Sequence, residues 1–77
     1  MTSAMDQALE HLGEDHKRAR DFAGSIAERG YPHSGAIEEY GAVVLEGVVP
    51  ETWRIGRWLI VVRPEHVAIH RLGATAL

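Results

Sequence analysis

His66 and His70 stand four residues apart, the spacing at which two imidazoles on one helical turn can share a metal ion. The residues between them, Val67-Ala68-Ile69, read as strand instead of helix. On a strand, four residues span roughly 13 Å, too far for one ion. His11 or His16 can approach Asp15 on a helix, but no third or fourth ligand accompanies them. Ser3, Ser25 and Ser34 lie in no nucleophile motif. Gly41, Gly47 and Gly56 are too scattered to form a phosphate-binding loop. The chain has no cysteine, hence no disulfide framework, thiol nucleophile or thiolate metal site. The sequence therefore predicts a protein that is not an enzyme, with no catalytic residue, no metal site and no cofactor.

The remaining chemistry is cationic. Trp58-Leu59-Ile60-Val61-Val62 and Val67-Ala68-Ile69 are apolar, β-branched runs on either side of Pro64-Glu65. Proline pre-sets φ for the first central position of a turn and offers no ladder donor. A turn centred there pairs Arg63 with His66, Val62 with Val67, Ile60 with Ile69 and Trp58 with Arg71. Successive strand residues alternate faces. One face then carries Trp58, Ile60, Val62, Val67, Ile69 and Arg71 and is expected to be core. The other sets Arg57, Arg63, His66 and His70 around Leu59, Val61 and Ala68, with no carboxylate on the face. Trp53 and Arg54 immediately precede the hairpin, and Trp and Arg dominate protein-binding hot spots. Arg57, Arg63, His66, His70, Trp53 and Arg54 are the candidate partner-binding residues. The ordinary alternatives are a solvated sheet face covered by arginine stems, and a Trp53 that closes one end of the core.

The elements that must hold this surface can be read in chain order. Met5, Ala8, Leu9, Leu12, Ala19, Phe22, Ala23, Ile26 and Ala27 recur at three- and four-residue spacing, predicting an amphipathic helix over residues 3–29. Ser3 is its expected N-cap and Gly30 its stop. Gly13 can split it, with Asp15 as a second cap. His16 falls on or beside the apolar stripe and reads as a packed, hydrogen-bonded residue. His33 lies in the loop Tyr31-Pro32-His33-Ser34-Gly35. Residues 36–49 are ambiguous; two glycines and four valines argue against a continuous helix. A short helical turn at 35–40 capped by Ser34, then a strand at 42–48, is the favoured reading. Residues 50–56 read as a connector and 73–77 as a frayed tail. The expected architecture is α+β: one domain, with an N-terminal helix on a three-stranded antiparallel sheet (strands 42–48, 57–63 and 66–72). The alternative is two helices plus a hairpin, winged-helix-like.

Charge is unevenly placed. Residues 1–40 hold four basic against eight acidic groups, and residues 41–77 hold four, all arginine, against three. An acidic helical half beside an arginine-bearing sheet predicts two differently charged sides. A net charge of −3 argues against a general nucleic-acid binder. The longest uninterrupted apolar run, Trp58 to Val62, is far too short to span a bilayer, and Asp6 and Glu10 occupy the place of a signal peptide's basic and apolar regions. A cytoplasmic protein without a membrane partner is expected.

A small domain buries only about 60% of its unfolded surface, so a stabilising homodimer through an exposed strand edge is one expectation. The principal one is a regulator that binds a protein partner stoichiometrically. By analogy of size and class this includes inhibitors of the anti-CRISPR or anti-restriction type carried by phages or mobile elements, and antitoxins. Nucleic-acid binding through the Arg/His hairpin face is the second choice.

Overall fold

The computed structural model describes the backbone of residues 4–73 and the side chains of residues 13–73. In chain order the described elements are α1 (Ala4–Arg29), α2 (Ser34–Tyr40), β1 (Val43–Val44), β2 (Thr52–Ile55), β3 (Trp58–Val62) and β4 (Val67–Arg71). The strands form one antiparallel meander in the order β1-β2-β3-β4, and the fold is α+β.

Helix α1 forms where the three- and four-residue apolar spacing predicts it. Ala19, Phe22, Ala23 and Ile26 make one buried stripe, whereas Ala27, also assigned to it from the sequence, is exposed. Gly13 leaves helical conformation (φ 84°, ψ −178°), a backbone that glycine adopts without a Cβ penalty, and kinks the segment. The Asp15 carboxylate pairs with Arg18 one turn on. The expected cap at Ser3, and the side chains of Met5, Ala8, Leu9, His11 and Leu12, lie outside the described residues, as does the tail beyond Gly73.

Residues 36–49 hold both a helix and a strand. Helix α2 is capped by His33 and not by Ser34: the His33 Nδ1 accepts from the Ala36 N–H at 3.4 Å. Gly41 ends it in the left-handed conformation, φ 66°. The strand predicted over 42–48 is confined to Val43–Val44. One further ladder bond, Leu45 N–H to Thr52 O (2.9 Å), follows, and then Gly47 (φ 79°) turns the chain, with Val48 N–H bonding back to Leu45 O.

The C-terminal hairpin has the predicted register: Trp58 opposite Arg71, Ile60 opposite Ile69, Val62 opposite Val67, and Arg63 N–H donating to His66 O at 2.9 Å. A further strand, β2, stands in the segment read as a connector. Thr52-Trp53-Arg54-Ile55 pairs with Val61-Ile60-Leu59-Trp58, so Gly56 and Arg57 alone join β2 to β3. Gly56 takes a positive φ of 58° and Arg57 does not, the pattern of a type II′ turn with glycine first. A Cβ at Gly56 would also overlap the Asp15 carboxylate from α1, so the helix comes down directly on this turn.

Helix α1 lies over β3 and β4 and reaches β2. The core between them holds Phe22, Ile26, Ile55 and Ile60, with Ala19, Ala23, Ala36 and Ala42 closing it. Edge-to-face contacts fix the aromatic rim: Phe22 to Trp53 at 5.8 Å and to Tyr40 at 6.2 Å, and His16 to Trp58 at 4.5 Å between ring centroids.

Candidate functional site: the open face of the sheet

Because strand residues alternate, the register assigns every side chain of the sheet to one face. The face under α1 takes Trp53, Ile55, Trp58, Ile60, Val62, Val67 and Ile69. The opposite face has no described element over it. One row across all four strands there is Val43, Arg54, Leu59 and His70; the next is Thr52, Val61 and Ala68. Leu72 N–H donates to Arg57 O at 2.6 Å, which adds Arg57 and Leu72 at one end. Arg63 and His66 close the other end.

Five of the six candidate residues therefore share one surface: Arg54, Arg57, Arg63, His66 and His70, all exposed. This rim of three arginines and two histidines surrounds a partly exposed apolar centre of Leu59, Val61 and Ala68, with Val43 63% exposed beside it. No outward residue of β2, β3 or β4 is a carboxylate; Glu46, Glu51 and Glu65 lie in the loops. Thr52 is buried, its hydroxyl donating to Pro50 O at 2.9 Å.

Trp53 does not join this surface. It faces inward against Phe22, so it belongs to the core rim, and its buried Nε1 has no hydrogen-bond partner among the described residues. His66 directly precedes β4 and His70 lies within it, so the residues between them are strand and not a helical turn. Among the described residues no three histidine or carboxylate side chains converge as a metal set.

Arg71 was not a sequence candidate because the alternation puts it on the core face. At the end of the strand it nevertheless lines, with Arg54, Arg57, Leu72 and Gly73, an open cavity of about 470 Å³. The missed signal was the β2–β3 turn: without β2, nothing brings Arg54 beside the last residues of the hairpin.

A second cavity, about 690 Å³, lies between α1 and α2 and holds the one serine–histidine contact among the described residues, Ser25 Oγ to His33 Nε2 at 3.1 Å. Its chemistry runs the wrong way for a nucleophile. Since His33 Nδ1 accepts the Ala36 N–H, the neutral ring carries its proton on Nε2 and donates it to Ser25. A general base would need a free lone pair at that nitrogen. The contact is a capping arrangement that ties α2 to α1. Tyr40, on the same groove, has its phenol pKa raised, first by burial and then by the neighbouring Glu39 and Asp21 carboxylates.

None of the described helices is long and apolar enough to cross a membrane. No protein-family model matches this chain, and neither a curated protein nor a solved structure resembles it significantly.

Proposed function

We propose that this chain is a non-enzymatic regulatory protein of the cytoplasm that binds a protein partner stoichiometrically through the open face of its sheet. The observation that carries this reading is the composition of that face: an apolar centre of Leu59, Val61 and Ala68 inside a rim of Arg54, Arg57, Arg63, His66 and His70, without an outward carboxylate on these strands. Interfaces of this kind bury an apolar centre inside a polar rim, and complementary charge steers the encounter. The partner surface it fits is apolar at its middle and acidic around it. Occlusion of such a surface is how a small inhibitor or antitoxin works.

Nucleic acid is the competing ligand for the same arginines. Single-stranded recognition adds aromatic platforms on which bases stack. Both tryptophans of this chain turn inward, Trp53 onto Phe22 and Trp58 onto His16, so the open face offers phosphate contacts without a tryptophan platform.

The test is a comparative capture from the native host's lysate, read by mass spectrometry with and without nuclease. The baits are the native chain, the Arg57→Glu/Arg63→Glu variant, and a control in which Glu28 and Glu38 on the helical side become Lys. One protein recovered regardless of nuclease, retained by the control and lost with the arginine reversals, is the expected outcome. Loss of every partner after nuclease transfers the face to nucleic acid. Equal capture by all three baits removes the face from the reading.

A further inference from the structure

The three arginines at one end of the sheet form an arrangement distinct from the face as a whole. They come from three places in the chain: Arg54 from β2, Arg57 from the β2–β3 turn and Arg71 from the end of β4. Two backbone constraints hold them together. The tight Gly56–Arg57 turn sets Arg57 two residues from the strand that carries Arg54. The Leu72 N–H to Arg57 O bond, 2.6 Å, pins the end of β4 against the turn. The Arg54 Nε donates to Gly56 O at 2.8 Å, which orients that guanidinium and leaves the donors of its two terminal nitrogens outside this bond. None of the three has an ion-pair partner among the described residues. The Asp15 carboxylate, which sits against Gly56 from the helix side, is paired with Arg18 and is not among the residues lining the cavity.

We infer that the Arg54–Arg57–Arg71 cavity is a binding site for a dianionic phosphate group. A carboxylate has two oxygens and one charge, which a single guanidinium fork satisfies. Three forks around one cavity match a group with more oxygens and more charge. A phosphate monoester presents three terminal oxygens and close to two charges at neutral pH. At about 470 Å³ the cavity has room for the phosphate and for part of what carries it, and Leu72 and Gly73 supply an apolar and a backbone wall. Two sources share this chemistry: a free or small-molecule phosphate, and the terminal phosphate of a nucleic-acid strand.

The experiment is a titration of the isotopically labelled full chain at pH 7.5 and constant ionic strength, followed by the amide signals of Gly56, Arg57, Leu72 and Gly73. The probes are inorganic phosphate, acetate, and an eight-nucleotide DNA strand with either a 5′-phosphate or a 5′-hydroxyl. Saturable shifts with phosphate, weaker by at least about tenfold with acetate, are expected. Arg57→Gln and Arg71→Gln should each lose about tenfold in affinity while the rest of the spectrum stays in place; two variants guard against either one failing to fold. Tighter binding of the 5′-phosphorylated strand than of free phosphate assigns the group to a nucleic-acid end, and the reverse order to a small molecule. Equal, unsaturated responses to phosphate and acetate overturn the site. So does equal binding of the two DNA strands when both bind tighter than free phosphate, which would mark a general polyanion surface. None of these readouts depends on the protein partner proposed above.

Discussion

His16 sits at the seam between α1 and the sheet, its ring edge-on to Trp58 and its Nδ1 buried without a hydrogen-bond partner among the described residues. The packing agrees with the sequence expectation, whereas the expected hydrogen bond is absent among the described residues. Burial, and secondarily the charge of Arg20, lower its pKa from the usual 6.5. The unfolded chain therefore holds more protons at this position than the folded one as the pH falls through that value. Stability is complete above about pH 6.5 and declines below it, until the folded ring itself becomes protonated. The thermal midpoint is expected to fall between pH 7.5 and 5, and His16→Gln should flatten that slope. An unchanged slope in the variant would assign the acid sensitivity elsewhere. At Gly56 the strain is conformational. Gly56→Ala must hold a Cβ at φ 58° and displace the Asp15 carboxylate, for a loss of about 1–2 kcal/mol in urea unfolding. In an Asp15→Ala background the loss should shrink to the backbone part alone; no change there would show that Asp15 simply turns aside.

At the scale of elements, the fold depends on one helix stripe against one sheet face. Phe22 is fully buried and touches both Trp53 on β2 and Tyr40 on α2, so it joins three elements at once. Removing so large a buried ring costs about 3–5 kcal/mol. A small domain has a total stability of only about 5–15 kcal/mol. Phe22→Ala should move the urea midpoint sharply downward or abolish the cooperative transition; a shift worth less than about 1 kcal/mol would contradict the packing described. The second helix is secured differently. Its seven residues are too few to be stable alone, and the His33 cap with its Ser25 tie supplies what propensity does not.

At the scale of the molecule, α1 covers one face of the sheet and no described element covers the other. On the helical side Glu28, Glu38 and Glu39 are interspersed with the exposed Lys17, Arg18, Arg20 and Arg29, whereas the open face carries Arg54, Arg57, Arg63, His66 and His70 with no carboxylate on β2, β3 or β4. The Arg57→Glu/Arg63→Glu variant used in the capture experiment separates binding from folding for this reason. Both side chains are exposed, and surface substitutions of this kind usually stay within about 0.5 kcal/mol. Its unfolding transition should overlay that of the native chain while partner capture is lost. A large drop in stability would mean that the open face supports the fold, and the capture result would then say nothing about recognition.

The amino-acid sequence by itself determined the parts of this protein that rest on short-range pattern. The Ala19-Phe22-Ala23-Ile26 stripe, the hairpin register about Pro64-Glu65 and the alternation that separates the Arg/His face from the core all follow from periods of 3.6 and 2 and from one turn. Tertiary structure decided the rest. Thr52–Ile55 is a strand because β3 offers it a partner across Gly56, and the five residues between Pro50 and Gly56 carry too little period to announce this alone. The apolar run at 42–48 is cut after Val44 because Gly47 turns back toward β2. Trp53 faces inward because its place opposite Ile60 puts it over Phe22, a parity that only pairing can set. The meeting of Arg54, Arg57 and Arg71 is likewise non-local. It requires three strands in register and one bond from Leu72 to Arg57, and no spacing within the chain encodes it.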